Sequence, residues 1–249
     1  MRLSRILLFL PLLITFSCSQ PLQYIQPPTP QTVRIATLTA LSPLNDTVQF
    51  CIIERPENYF FFQELPLIPP NVQPDLILWI GDRPRSFSFA APIGWESISI
   101  VLNPENPLDN LELEDVRAMF FGEITHWDQL DGEDRPVSLW VYPEADELQR
   151  QFASFLGVNR PITALAFLAT NPEVVKDAVS SDPGAIGFLP NAWIDASVKP
   201  INLDVNYPSI PILVISKTEP IGPAREFLAC LQSPQSQAVL RSRYKPWND

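Results

Sequence analysis

Residues 97–132 read "SISIVLNPENPLDNLELEDVRAMFFGEITHWDQLDG", and this stretch decides the fold. Its first six residues are apolar and rich in β-branched side chains, the composition of a strand buried on both faces. Two Asn-Pro pairs follow at 103–104 and 106–107, and proline there cannot extend a hydrogen-bonded ladder. In "LELEDVRAMFFG", Leu113, Val116 and Phe120 recur at helical spacing and Gly122 supplies the stop. One stretch therefore carries a strand, a rigid loop and a helix.

The same alternation extends in both directions. Apolar strand-like runs recur at "TVRIATL" (32–38), "VQFCII" (48–53), "DLILWIG" (75–81), "VSLWVY" (137–142), "AIGFL" (185–189) and "IPILVIS" (210–216). Helical patterns lie between them. "EADELQRQFASFLG" places Leu148, Phe152 and Phe155 on one face with Gly157 as a stop, and "NPEVVKDAV" opens on Asn171 as cap with Pro172 in the first turn. "GPAREFLACLQ" and "SPQSQAVLRSR" begin on glycine-proline and serine-proline signals. Strands alternating with helices predict an α/β fold. No internal repeat or long charge run interrupts the pattern.

The chain has 28 prolines against 8 glycines and 46% hydrophobic residues over 249 positions, enough for a sizeable core in one large or two small domains. With so few glycines, the pair in "SDPGAIGFLP" (181–190) needs a reason. Gly184 is expected to supply a positive φ for a turn, and Gly187 to leave room where a backbone or a ligand approaches closely. The plainer alternative is a helix ending in a turn before a buried strand.

In "NPENPLDN…MFFGEITHW", the residues Asn103, Pro104, Asn106, Pro107, Leu108, Phe120, Gly122, Ile124, Thr125 and Trp127 fall in register with a long motif. Through it the chain resembles the phosphate-binding-protein-like family of type II periplasmic substrate-binding proteins. "DPGAIGF" resembles that family's Pro-Gly-Ala-Ile-Gly-Tyr segment, and the tail "YPSIPILVISKTEPIGPAREFLACLQSPQSQAVLRSRYKPW" resembles its ending, with Ser236 where glycine is usual. The likeness runs over residues 32–247. It implies a two-lobed type II periplasmic-binding-protein fold of α/β class with a hinge of two crossing strands. Residues 32–102 and 206–249 are expected to form lobe one and residues 103–205 lobe two, with crossings near 97–103 and 204–210. The glycine pair would then mark scaffold close to the crossings.

The resemblance also implies a ligand cleft between the lobes, fed by three segments. From the first, "TLTALSPL", Thr37, Thr39 and Ser42 are the expected hydroxyl donors, although the family's glycine and one hydroxyl are missing. The long helix that follows in the family is expected to be missing too, because "NDTVQFCII" turns apolar at strand spacing. From the second, "GDRP", Asp82 and Arg83 reach the edge of the cleft or form a surface salt bridge. The third segment, "YPEADEL", departs furthest: Tyr142 replaces an arginine, Asp146 a serine, Glu147 a glycine and Leu148 a threonine. Carboxylates at a helix N-terminus are ordinary caps, yet these two occupy the place where an oxyanion needs donors. Like charges about 4 Å apart cost about 4 kcal/mol at an effective dielectric near 20, half of what a micromolar site supplies. Phosphate is therefore a poor candidate ligand.

The first eighteen residues, "MRLSRILLFLPLLITFSC", read as an export signal: Arg2 and Arg5 are followed by an apolar run too short to cross a bilayer. "TFSC" resembles a bacterial lipobox, which would make Cys18 the acylated first residue, with plain signal cleavage as the alternative. Residues 19–31 are polar and proline-rich, as a tether should be. Removing the signal leaves 15 Lys and Arg against 28 Asp and Glu, a net charge of −13 in place of −11. No basic stripe for nucleic acid is present, and the acidic balance opposes long-range capture of anions. If Cys18 carries lipid, Cys51 and Cys230 remain as a disulfide or as two buried thiols.

His126 is the single histidine, so neither a histidine-cysteine metal cluster nor a Ser-His-Asp triad is expected. Trp79, Trp95, Trp140 and Trp193 read as core residues or as cleft lining. Taken with the resemblance, these features predict a solute-binding protein without cofactor, metal or catalytic residue, lipid-anchored outside the cytoplasm and presenting a small solute to an ABC permease. The competing expectation is a sensor or interaction module that keeps the fold and has lost the ligand site.

Overall fold

The computed structural model describes residues 30–157 and 160–248. The export signal, Cys18 and all but the last two residues of the proline-rich tether lie outside the described residues. In chain order the elements begin with β1 (Thr32–Leu38), a 3-10 helix over Thr39–Leu44, α1 (Asn45–Ile53), β2 (Tyr59–Leu65), β3 (Leu76–Ile80) and β4 (Phe89–Leu102). They continue with β5 (Asn110–Leu111), α2 (Leu113–Phe120), β6 (Ser138–Val141), α3 (Glu147–Leu156), β7 (Phe167–Leu168), α4 (Pro172–Ser181) and β8 (Ala185–Pro190). A 3-10 helix over Asn191–Trp193 leads to β9 (Lys199–Pro200), β10 (Asn202–Leu203), β11 (Ser209–Ser216), α5 (Gly222–Leu231), α6 (Pro234–Leu240) and β12 (Lys245–Pro246).

The main sheet runs in the order β2-β1-β3-β11-β4-β8-β6-β7. Strand β4 is the pivot. Its residues 89–97 pair antiparallel with β11, while residues 98–102 pair antiparallel with β8. One half of the sheet is thus β2-β1-β3-β11 with the first part of β4, and the other is the far end of β4 with β8, β6 and β7. Parallel pairing of β1 with β2 and β3, and of β6 with β7 and β8, needs crossover connections, which the helices supply. Strand β3 is buried at all five positions and β8 at all six, which is why both read as unbroken apolar runs.

Local chemistry sets the helix ends. Asn171 accepts a hydrogen bond from the Val174 N–H at 3.1 Å and starts α4, and Ser233 does the same for Ser236 at the start of α6. Gly157 closes α3 in the left-handed region at φ 69°.

One expected strand is a helix. Residues 48–53 belong to α1, where Thr47, Val48 and Cys51 face inward at helical spacing. The β-branched and aromatic composition of "VQFCII" reads as strand, but a helix packed against α5 and α6 buries such residues as well. A helix therefore does follow the first ligand-segment loop. Strand β2 and the first half of β4 extend the sheet beyond the predicted runs. Cys51 on α1 and Cys230 on α5 form a disulfide with a Cα separation of 5.8 Å.

Gly184 and Gly187 answer to packing. Gly184 is absent from the glycines with positive φ, against expectation; a Cβ there would lie 2.7 Å from the Pro136 carbonyl oxygen. That close approach lets the Gly184 carbonyl accept from the indole of Trp127 at 2.9 Å. At Gly187 a Cβ would lie 2.6 Å from Cγ1 of Val175, so the missing side chain brings α4 onto β8.

Candidate functional site

The groove between the sheet halves is bordered by the ends of β1 and β3 on one side and the N-terminus of α3 on the other. At the end of β1, Thr37 is buried and its hydroxyl lies 3.4 Å from the neighbouring Leu38 carbonyl. Ser42 places its hydroxyl 2.7 Å from the Thr39 carbonyl and also hydrogen-bonds the Glu64 carboxylate on β2. A hydroxyl has one proton to donate, and this one already faces two acceptors. Thr39, half-buried, takes part through that carbonyl.

Beyond β3, Gly81 turns the chain at φ 97°. Asp82 and Arg83 are exposed. The Asp82 carbonyl accepts from the Trp79 indole at 3.0 Å, and the Arg83 guanidinium hydrogen-bonds the Phe87 carbonyl, closing its own loop. No ion pair joins Asp82 to Arg83 in the hydrogen-bond and ion-pair geometry of the described residues.

The third segment settles differently for each residue. Tyr142 belongs to the core beneath α3: its hydroxyl donates to the Phe188 carbonyl at 3.1 Å, its ring packs edge-on against Phe188, and its N–H donates to Gln149. Asp146 caps α3 and accepts from the Leu148 N–H at 2.8 Å, with the Gln149 N–H close enough to favour its charged form. These are the donors with which a helix N-terminus would greet an anion, and the chain's own carboxylate already holds them. Burial pushes the Asp146 carboxyl up to about 6, and the charge of Glu147 pushes the same way against those N–H bonds.

Glu147 reaches across the groove. It is 8% exposed; Oε1 accepts from Gln151 at 2.8 Å and Oε2 from Arg150 Nε at 3.0 Å. Oε1 lies so close to Gly81 that a Cβ there would sit 2.5 Å from it. An acidic side chain from α3 is thus seated against the backbone turn after β3. Gly81, Glu64 and Arg150 were not expected from sequence; Gly81 offered the one readable signal, as a scarce glycine ending an apolar strand.

Beside this contact lies a cavity of about 490 Å³ lined from both sides of the groove. Leu38, Ile77, Trp79 and Phe87 form its floor, the loop 66–74 one wall, and Ala145, Glu147 and Arg150 the other. Trp79 is therefore both buried and cleft-lining. Trp193 bridges the halves elsewhere, its indole donating to the Ala40 carbonyl at 2.8 Å. Trp95 stands on β4 and Trp140 on β6, stacked against Phe167. His126 begins the 3-10 turn Trp127–Leu130 and is exposed. No cluster of three or more metal-binding side chains occurs among the described residues, and no helix among them is long and apolar enough to cross a membrane.

A two-lobed α/β frame whose central strand changes partner half-way, with a groove at the change, is matched by a family model. Residues 85–224 fit the PBP superfamily domain. The chain belongs to the PBP superfamily. The phosphate-binding protein PstS of Bacillus subtilis (strain 168) is 26% identical over 168 residues, which cover 61% of this chain and 55% of that protein. The chain thus spans about half the length of this curated relative. Among solved structures, a Clostridium perfringens protein assigned as a phosphate ABC transporter substrate-binding protein, with phosphate bound, aligns at TM-score 0.77 and 16% identity, covering 86% of this chain and 98% of the other. An ABC-type phosphate transport receptor from Vibrio cholerae aligns at TM-score 0.67 and 20% identity, covering 86% and 99%. At such identities the structural likeness speaks for the PBP fold, a mixed α/β two-lobed type II frame.

Proposed function

We propose that this PBP-superfamily chain is an extracytoplasmic solute-binding protein of an ABC importer, anchored by lipid at Cys18, and that it closes its lobes on a small solute other than phosphate. Lobe one comprises residues 32–102 and 206–249, lobe two residues 103–205, and β4 with the segment entering β11 forms the hinge. The observation that carries the reading is the carboxylate pair at the start of α3. Asp146 consumes the helix N-terminal N–H groups, and Glu147 projects into the groove where an oxyanion would need donors. The Thr37 and Ser42 hydroxyls face internal acceptors, the Thr39 carbonyl among them, and Asp82 and Arg83 stand exposed at the rim. Relatives named for phosphate therefore supply the frame of the argument and not its ligand.

Small-angle scattering read against a panel of anions, sugars, amines and apolar solutes tests the proposal. A solute that contracts the particle, with a matching rise in melting temperature, is the expected result; one present at about 100 times its Kd adds about 2.7 kcal/mol of stability. If no solute produces either change, the sensor or interaction reading replaces transport. Mass spectrometry of membrane-extracted protein tests the anchor: an acylated Cys18 at the N-terminus is expected, and any other first residue removes the lipoprotein claim.

A further inference from the structure

The groove whose helix N-terminal donor is held by Asp146 is furnished for something other than an oxyanion. Of the residues around the 490 Å³ cavity, Pro66, Pro69, Pro70, Pro74 and Pro84 have no N–H to offer, and Leu67, Ile68 and Val72 between them are aliphatic. Trp79 spends its indole N–H on the Asp82 carbonyl, so toward the cavity it has only ring surface to give. Glu147 and Arg150 are the charges on the opposite wall, and they neutralise each other in an ion pair. Lys217 lies at the rim and is exposed to water. The volume falls in the range of ordinary small-molecule sites, which bury an apolar body and fix it with a few polar groups.

From this arrangement we infer that the interlobe cavity takes an uncharged, predominantly apolar solute with a ring that lies on Trp79. The inference rests on the solute-binding reading above and names the class of solute. An anion would find five prolines without an N–H along that wall and would face the Glu147 carboxylate. A cation would have to displace Arg150 from Glu147, exchanging one ion pair for another. A neutral apolar body removes ring and aliphatic surface from water on both partners and disturbs neither charge. The prolines hold that wall in shape, so little conformational freedom is lost on binding.

Calorimetry with three probes of one shape and different charge tests the inference: naphthalene-methanol, naphthoate and naphthylmethylammonium, with inorganic phosphate alongside. The alcohol is expected to bind at least about tenfold more tightly than either ion. Leu67, half exposed at the mouth, provides a variant that leaves the core alone. Leu67→Asp should weaken the alcohol by about tenfold or more with an unchanged melting temperature, whereas Ile221→Asp, at an exposed apolar position on the approach to α5, should leave it unaltered. Tighter binding of naphthoate, of naphthylmethylammonium or of phosphate would overturn the inference, as would equal sensitivity to both variants. If none of the probes binds while another solute contracts the particle, the apolar assignment falls and the solute-binding reading stands. If nothing contracts it, both fall.

Discussion

Replacing Glu96 with glutamine should change how the protein's stability responds to pH. Glu96 sits on β4 where that strand passes from β11 to β8, and it is 4% exposed. Its carboxylate accepts from the Ser97 N–H at 2.8 Å and the Ala192 N–H at 3.2 Å, with the Asn191 N–H close by. Arg243 donates to the Ala192 carbonyl at 3.4 Å, and the Tyr244 hydroxyl, buried without a hydrogen-bond partner, feels the Glu96 charge. Burial outweighs those N–H bonds and pushes the carboxyl from 4.5 up to about 7. A carboxyl whose folded value is raised stabilises fully below its unfolded value, and that contribution is lost as pH rises through the folded one. At about 1.4 kcal/mol per pH unit, the loss between about pH 4.5 and pH 7 is about 3 kcal/mol. Asp146, raised to about 6, acts with the same sign over a lower window. Urea unfolding followed by circular dichroism from about pH 5 to about pH 8 measures it: the slope should flatten by about 2–3 kcal/mol in Glu96→Gln. Parallel profiles for the two proteins would refute the assignment of that buried charge to the hinge.

Reducing the Cys51–Cys230 bond should cost about 2–5 kcal/mol in the same urea assay, because it releases a closed loop with a sequence separation of 179 residues; an unchanged midpoint would contradict this. Gly187→Ala should destabilise by about 1–3 kcal/mol, since its Cβ meets the buried Val175 on α4, and a neutral result would show that α4 shifts freely. Asp146→Ser with Glu147→Gly should raise phosphate affinity by about a hundredfold or more, as it returns the Leu148 and Gln149 N–H groups and frees Arg150. Calorimetry reads the gain, and an unchanged isotherm would mean that the site lies elsewhere.

The elements most legible in the sequence are those whose local preference and burial agree. Buried strands such as Leu76–Ile80 and Ala185–Pro190 have water on neither face, so their side chains are apolar throughout. Capped helices such as Pro172–Ser181 announce themselves through the cap chemistry. The strand Tyr59–Leu65 was invisible because it lies at the sheet edge, paired on one side only and half exposed, so no unbroken buried run marks it. Residues 48–53 read as a strand because their types favour one, and packing of the helix Asn45–Ile53 against two later helices decides otherwise. At the cleft, Asp146 could be read as a helix cap from its place before an amphipathic pattern. The contact of Glu147 with Gly81 could not, since it joins residues brought together only when two halves of a sheet fold over one groove. Tyr142 shows the converse: a position that the resemblance offered as a ligand candidate is a core residue, its ring packed edge-on against Phe188.

The central claim is that a phosphate-type frame has here been turned away from phosphate, and calorimetric titration of the unmodified protein with inorganic phosphate near neutral pH tests it most directly. No saturable heat is expected up to about millimolar phosphate, because the α3 N-terminal donors are held by Asp146 and Glu147 faces the groove. A dissociation constant in the micromolar range or below would contradict it and return the protein to oxyanion binding.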